Sequence, residues 1–335
     1  MLTTGRVRRA LFVAIVGVLV GVAVYVMFRR ELAEHYERVA TGSRLVETRC
    51  GTVEVSEAGQ GAPLLVAHGS GGGFDQAMLA GTDFARLGWR VIAPSRFGYL
   101  RTPFPSDASA AAQADQFACL LDTLGIARTA IIGISAGANS AMQFAIRHPE
   151  RTAALVLLVP AAYKPTESAP PPTSASLRER ALMTIVGSDF VFWAATRFAH
   201  DTVVRLVLAT PPDLLRTASV EEMKRVDRLL NTILPISARV RGLINDTQIA
   251  GHPVRYALEE IRAPTLIISL RDDLYGTYAS AEYSAQHIRG AVLIGYEQGG
   301  HVWIGHHSQI IEETAGFLRA VEASGGTSLA TGWGD

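Results

Sequence analysis

The pentapeptide Gly133-Ile134-Ser135-Ala136-Gly137 constrains this chain more than any other stretch. It follows the apolar run 130–132 and opens a segment, 136–148, whose pattern reads as a helix stopped by Pro149. A strand that turns sharply into a helix strains the backbone of the residue at the turn. Only small residues fit two places before and two places after it, and here they are Gly133 and Gly137. The turn lifts the Ser135 hydroxyl into the open, while the helix behind it aims N–H groups and the positive end of its dipole at the same spot. With 31 glycines in the chain, such a pentapeptide also arises by chance. Its place between strand and helix gives it weight against the plain alternative, a Gly/Ser turn in a βα unit.

Around this turn the chain alternates strand-like and helix-like segments. Residues 45–57 read as one or two opening strands with a turn at Gly51, and 64–67 as a short apolar strand. Further strands are expected at 90–93, 154–159, 265–270 and 291–296. Helices are expected at 110–124, with Ser109 as cap and Gly125 as stop, at 279–287 and at 308–323. Near-continuous apolar strands joined by helices predict a mainly parallel sheet covered on both faces. The alternation breaks after Tyr163. A connector containing Pro170-Pro171-Pro172 leads into residues 176–250, where only helices are expected.

The strand at 64–67 runs into His68-Gly69-Ser70-Gly71-Gly72-Gly73. A dinucleotide fingerprint starting at Gly69 would need glycine where Phe74 stands, and no Gly-Lys-Ser/Thr follows for a P-loop. A loop so rich in glycine lets backbone N–H groups approach a bound atom closely, which suits an oxyanion site; a plain flexible loop is the alternative.

Four features occur in order: His68-Gly69 with its glycine loop, the turn at Ser135, Arg271-Asp272-Asp273 after a late strand, and Gly299-Gly300-His301 after the last strand. Together they resemble the α/β-hydrolase fold family over residues 46–323. The resemblance implies a mainly parallel central sheet flanked by helices, with an inserted helical cap over the site. The expected organisation is an N-terminal membrane anchor over 1–30, a spacer over 31–44, a core over 45–162 and 259–323, a helical cap over 163–258 and a loose tail over 324–335. It also implies a triad of Ser135 as nucleophile, His301 as base and then acid, and Asp273 as the orienting acid. A serine hydroxyl needs a base at neutral pH, histidine titrates in the right range, and a carboxylate behind it fixes the tautomer. In the family the acid lies about three residues past a glycine that ends its strand. Leu270 holds that place here, so Asp272 stays open as an alternative. The oxyanion donors implied are the backbone N–H groups of Ser70 and Ala136, with the Ser70 side chain solvated.

Phe192 and Trp193 in the cap, and Trp303 two residues past His301, are candidate substrate-lining residues, with simple packing as the other reading. His68 is expected to brace its loop. His306 and His307 are expected at the surface, since adjacent histidines are poor geometry for one metal. No cofactor or metal is expected. Family members that open epoxides or displace halides carry aspartate where Ser135 stands, so serine argues for acyl transfer to water. The chain is best read as a serine hydrolase, a carboxylesterase acting on small-molecule apolar or lipid-like esters. C–C bond, lactone or amide hydrolysis and perhydrolysis share the same triad. A catalytically inactive ligand-binding protein is the rival from another class.

Composition matters most at the N-terminus. Residues 10–28 carry no charge and would span about 28 Å as a helix, close to the hydrocarbon thickness of a bilayer. Arginines flank the run on both sides and no small-x-small cleavage site follows it. An uncleaved single-pass anchor is expected, ahead of a signal peptide or a buried core helix. The slight arginine excess before the span puts the folded domain on the non-cytoplasmic side. Over the whole chain 31 basic residues balance 31 acidic ones, so no nucleic-acid partner is expected. Cys50 and Cys119 are the only cysteines, show no metal or redox spacing, and read as two unpaired thiols.

Overall fold

Eight strands form one sheet in the order β1-β2-β4-β3-β5-β6-β7-β8. They are β1 (Arg44–Thr48), β2 (Gly51–Ala58), β3 (Ala62–Ala67), β4 (Trp89–Pro94), β5 (Thr129–Ile134), β6 (Thr152–Leu158), β7 (Thr265–Leu270) and β8 (Val292–Tyr296). The computed structural model describes residues 2–165 and 187–325. The triple proline and most of the expected tail lie outside the described residues. Strands β1 and β2 pair antiparallel and β2 meets β4 antiparallel, while all pairs from β4 to β8 are parallel.

Helix α1 (Leu2–Thr41) precedes the sheet. Helix α2 (Phe74–Arg86) joins β3 to β4, α3 (Ala110–Thr123) joins β4 to β5, and α4 (Gly137–Arg147) joins β5 to β6. Between β6 and β7 lie α5 (Asp189–Phe198), α6 (His200–Val207), α7 (Asp213–Thr217), α8 (Val220–Ile233) and α9 (Val240–Gly251). Helix α10 (Thr277–His287) joins β7 to β8 and α11 (His307–Ala323) follows the last strand.

Alternate residues of each inner strand face opposite sides, and both sides are apolar. Leu65, Ile131, Leu155 and Ile267 pack with Phe117, Leu120 and Phe144 of α3 and α4. Leu64, Ile132, Val156 and Ile268 pack with Phe84, Ile310 and Leu318 of α2 and α11. This two-sided burial is why the strands read as continuous apolar runs. From β3 the chain steps to β4 on one side and returns to β5 on the other. The loops leaving β3 and β5 therefore part company at the carboxyl ends of neighbouring strands, where ligands settle in open α/β sheets.

Helix α2 is absent from the sequence-based expectations. Its cap residue, Gly73, offers no side-chain hydrogen bond, and Gly81 interrupts its interior. A Cβ at Gly81 would stand 2.9 Å from Val91 Cγ1, so glycine lets α2 lie close on β4.

The expected anchor and most of the expected spacer lie on one unbroken helix, α1. Its segment from Arg6 is long and apolar enough to cross a membrane. The C-terminal part is docked on the protein rather than loose. Phe28 is buried in one apolar cluster with Phe192, Trp193, Val204 and Ile233, its ring 5.5 Å from that of Trp193. Glu31 accepts from Trp193 Nε1 at 2.7 Å and pairs with Arg197, and Arg38 pairs with Asp75 and donates to Leu234 O at 2.7 Å. A chain starting at residue 31 loses Phe28, whereas one starting at residue 23 keeps it. In the same mild detergent the shorter chain should melt several degrees lower, since removing a buried phenylalanine costs about 3 kcal/mol. Equal melting temperatures would show that Phe28 holds nothing.

The expectation of two unpaired thiols is overturned. Cys50 and Cys119 form a disulfide with their Cα atoms 6.0 Å apart. The Thr48–Gly51 hairpin turn places Cys50 over α3, a contact that a separation of 69 residues conceals in the sequence.

Candidate active site

Ser135 sits where β5 turns into α4, with φ +51, in the left-handed region that non-glycine residues avoid. Its N–H donates to Leu158 O at 2.9 Å, which ties the turn to the neighbouring strand. A Cβ at Gly137 would lie 2.3 Å from Ala67 O, and one at Gly133 would lie 2.7 Å from Ala138 Cα. Larger residues at either position would push the turn off the sheet, so the two glycines are steric requirements of this geometry.

The loops after β7 and β8 bring two side chains to Ser135. His301 Nε2 is 2.9 Å from Ser135 Oγ, and His301 Nδ1 is 2.7 Å from Asp273 Oδ2. Asp273 is held in turn: the Thr277 hydroxyl donates to Oδ2 and the Tyr275 N–H donates to Oδ1 at 2.8 Å. Asp272 points elsewhere and accepts from the N–H groups of Gly299 and Gly300 at 3.0 and 2.8 Å. One aspartate therefore meets the imidazole while its neighbour fastens the loop that carries it. The Tyr275 ring stands edge-on to His301, with centroids 4.9 Å apart. Burial, reinforced by the Asp273 charge, pushes its phenol above the ordinary range. Tyr275 and Thr277 were not singled out from sequence, because no spacing rule marks residues whose role is to hold an acid.

The glycine loop after β3 forms the other wall. His68 is fully buried, donates from Nδ1 to Gly69 O at 2.7 Å and accepts the Arg96 N–H on Nε2 at 3.0 Å. Burial, then the Arg96 charge, drives its pKa well below the usual histidine value, so it is a neutral brace. Gly69 N–H is taken by Gln76 Oε1 at 2.9 Å. The N–H groups of Ser70 and Ala136 have no hydrogen-bond partner among the described residues. The Ser70 hydroxyl is not simply solvated, as expected from sequence; it donates to Asp246 Oδ2 at 3.0 Å.

Ser135 and His301 open into a cavity of about 690 Å³. Met78, Leu79, Val207, Leu208 and Ile233 supply apolar wall, and Trp303 lines it too. Arg86, paired with Asp83, and Arg225, paired with Glu222, also line it, as does Arg228. Phe192 and Trp193 do not line this cavity. They face α1 and are buried beside Phe28, because the aromatic side of α5 is the side that receives that helix. His307, expected at the surface, is half-buried: it accepts from Trp303 Nε1 at 3.1 Å and donates to Asp83 at 2.9 Å. Burial and the nearby Arg225 lower its pKa. Among the described residues no cluster of three or more His, Cys, Asp or Glu side chains could hold a metal ion.

A hydroxyl aimed at an imidazole, with a carboxylate behind the ring, has the parts needed for acyl transfer. The chain is also similar to known proteins. An uncharacterized hydrolase of Bacillus subtilis is 29% identical over 262 residues, covering 76% of this chain and 90% of that protein. A 2-hydroxy-6-oxononadienedioate/2-hydroxy-6-oxononatrienedioate hydrolase of Burkholderia vietnamiensis is 30% identical over 257 residues, covering 73% and 76%. Among solved structures, an alpha/beta hydrolase fold protein from Nakamurella multipartita superposes with a TM-score of 0.65 at 25% identity, covering 83% of this chain and 99% of its own. An esterase from Exiguobacterium antarcticum shares the fold with a TM-score of 0.62 at 16% identity, covering 82% and 98%. The family profile described as alpha/beta hydrolase fold matches residues 62–305. With the sheet order, the strained serine and the family profile in agreement, the chain belongs to the α/β-hydrolase fold family.

Proposed function

We propose that this α/β hydrolase is a membrane-anchored serine hydrolase of the carboxylesterase type, acting on apolar or lipid-like esters. Ser135 attacks the ester carbonyl while His301 Nε2 takes its proton. Asp273 keeps the ring in the tautomer that leaves Nε2 free and balances the imidazolium that forms. The N–H groups of Ser70 and Ala136 receive the carbonyl oxygen as it becomes negative. The alcohol departs with the proton from His301, and water then repeats the sequence on the acyl-enzyme to release the acid. The observation that carries this reading is the unbroken relay from Asp273 through His301 to Ser135, ending in a cavity with apolar walls. The pairing of Arg86 and Arg225 with their own carboxylates supports an uncharged substrate over a strongly anionic one.

A second reading, hydrolysis of a C–C bond, is favoured by the names of several relatives and by Arg228, which lines the cavity where a substrate carboxylate could reach it. A panel of p-nitrophenyl esters of graded chain length, run beside a 2-hydroxy-6-oxo-dienoate, separates the two. For the ester reading kcat/KM should climb about 4-fold per added methylene until the apolar wall is filled, since each buried methylene contributes about 0.8 kcal/mol. Turnover of the dienoate alone, with every ester inert, would transfer the proposal to C–C chemistry.

Helix α1 is read as the anchor, with the folded domain on the non-cytoplasmic side. Support comes from the uncharged run at 10–28 and from the Cys50–Cys119 disulfide, a bond that persists in oxidising compartments.

A further inference from the structure

Helix α9 lies outside the sheet core, yet one of its side chains reaches the glycine loop after β3. Asp246 is 4% exposed and its carboxylate gathers four donors. Arg96 binds both oxygens, Nη1 to Oδ1 at 2.8 Å and Nη2 to Oδ2 at 2.6 Å. The Tyr99 hydroxyl donates to Oδ2 at 2.5 Å and the Ser70 hydroxyl at 3.0 Å. The same partners grip the glycine loop. Arg96 Nε donates to His68 O at 2.9 Å and Nη2 to Gly69 O at 3.2 Å, while Tyr99 Oη accepts the Gly71 N–H at 3.2 Å. Each residue from 68 to 71 is thus one hydrogen bond from Arg96, Tyr99 or Asp246. Burial pulls the Arg96 pKa down, but the adjacent Asp246 carboxylate more than offsets it, so the guanidinium stays charged.

We propose that Asp246, carried on a helix of the β6–β7 insertion, is a positioning residue for the oxyanion donor Ser70. The insertion thereby sets the geometry of the oxyanion site as well as covering it. This rests on the reading of Ser135 as nucleophile and Ser70 N–H as donor. Gly69, Gly71, Gly72 and Gly73 give the loop little stiffness of its own. Gln76, His68 and Arg239 each hold one of its backbone groups, while Arg96 and Tyr99 hold two carbonyls and an N–H and are themselves held by Asp246. Without the carboxylate, the buried guanidinium is uncompensated and must seek new partners, drawing Gly69 O with it. A donor displaced by about 1 Å forfeits much of its preorganised stabilisation of the oxyanion.

The test uses the full chain in detergent, normalised by active-site titration, with Asp246→Asn and Tyr99→Phe. Steady-state kinetics on one p-nitrophenyl ester are read beside inhibition by two compounds of the same skeleton. One is a trifluoromethyl ketone, which forms a charged tetrahedral adduct; the other is the secondary alcohol, which carries no oxyanion. In Asp246→Asn, kcat should fall about 10- to 100-fold with KM within about 3-fold. The trifluoromethyl ketone should weaken in step with kcat/KM while the alcohol keeps its affinity. Tyr99→Phe removes only the hydroxyl between Asp246 and Gly71 and should show the same pattern more mildly. It decides by the same criteria should Asp246→Asn fail to fold. An unchanged kcat in the folded variant, or equal weakening of both inhibitors, overturns the proposal. The reading beneath it fails differently: Ser135→Ala would then retain wild-type turnover, whatever happens at position 246.

Discussion

Ser135→Ala should lower kcat toward p-nitrophenyl esters by about 10⁵- to 10⁶-fold, with melting temperature and KM little changed. The substitution takes away the hydroxyl oxygen that stands 2.9 Å from His301 Nε2. It leaves the cavity walls and the free N–H groups of Ser70 and Ala136 in place, so the residual rate should be the small acceleration that binding and oxyanion stabilisation supply alone. The fold should tolerate the change because alanine fills the same space, and the φ of +51 is no harder for alanine than for serine. The double variant with His301→Ala should be no slower than either single one, because nucleophile and base act as one unit. Rates of titrated protein and labelling by a fluorophosphonate probe are the measurements. A variant retaining more than about 1% of kcat would remove Ser135 from the mechanism.

Asp273→Asn should cost about 10⁴ in kcat, whereas Asp272→Asn should cost about 10-fold or less. The difference follows from what each carboxylate touches. Asp273 accepts the Nδ1 proton of His301, and an amide there can instead donate to Nδ1, which moves the ring proton to Nε2. An Nε2–H faces the Ser135 hydroxyl with a proton of its own and cannot act as base. Asp272 accepts two backbone N–H groups, from Gly299 and Gly300, and asparagine still offers one carbonyl oxygen to them. Its loss should loosen the loop carrying His301 without changing the tautomer. Steady-state kinetics on the two purified variants decide the matter, and the reverse ranking would pass the acid's role to Asp272.

Much of this arrangement is legible in the chain because it is written in local terms. The apolar run of β5, the paired glycines around Ser135 and Pro149 beyond α4 announce strand, sharp turn and helix within about twenty residues. Helix α3 was readable from Ser109, whose hydroxyl does accept the Ala112 N–H. Helix α2 was not, since its cap is a glycine crowded by Leu100 and Arg239 and its interior contains another that lies against Val91 of β4, close contacts that helix propensity does not record.

The sequence by itself determined the strands, the elbow and the order of serine, acid and histidine, because periodicity and turn chemistry act between residues a few positions apart. Only the tertiary structure decided which aspartate meets His301, that Cys50 reaches Cys119, that Phe192 and Trp193 receive α1 instead of substrate, and that Asp246 grips Arg96 from 150 residues away. Hydrogen bonds and packing contacts form over a few ångströms, so partners distant in the chain become partners only after the sheet has set their separation. No local pattern records that separation.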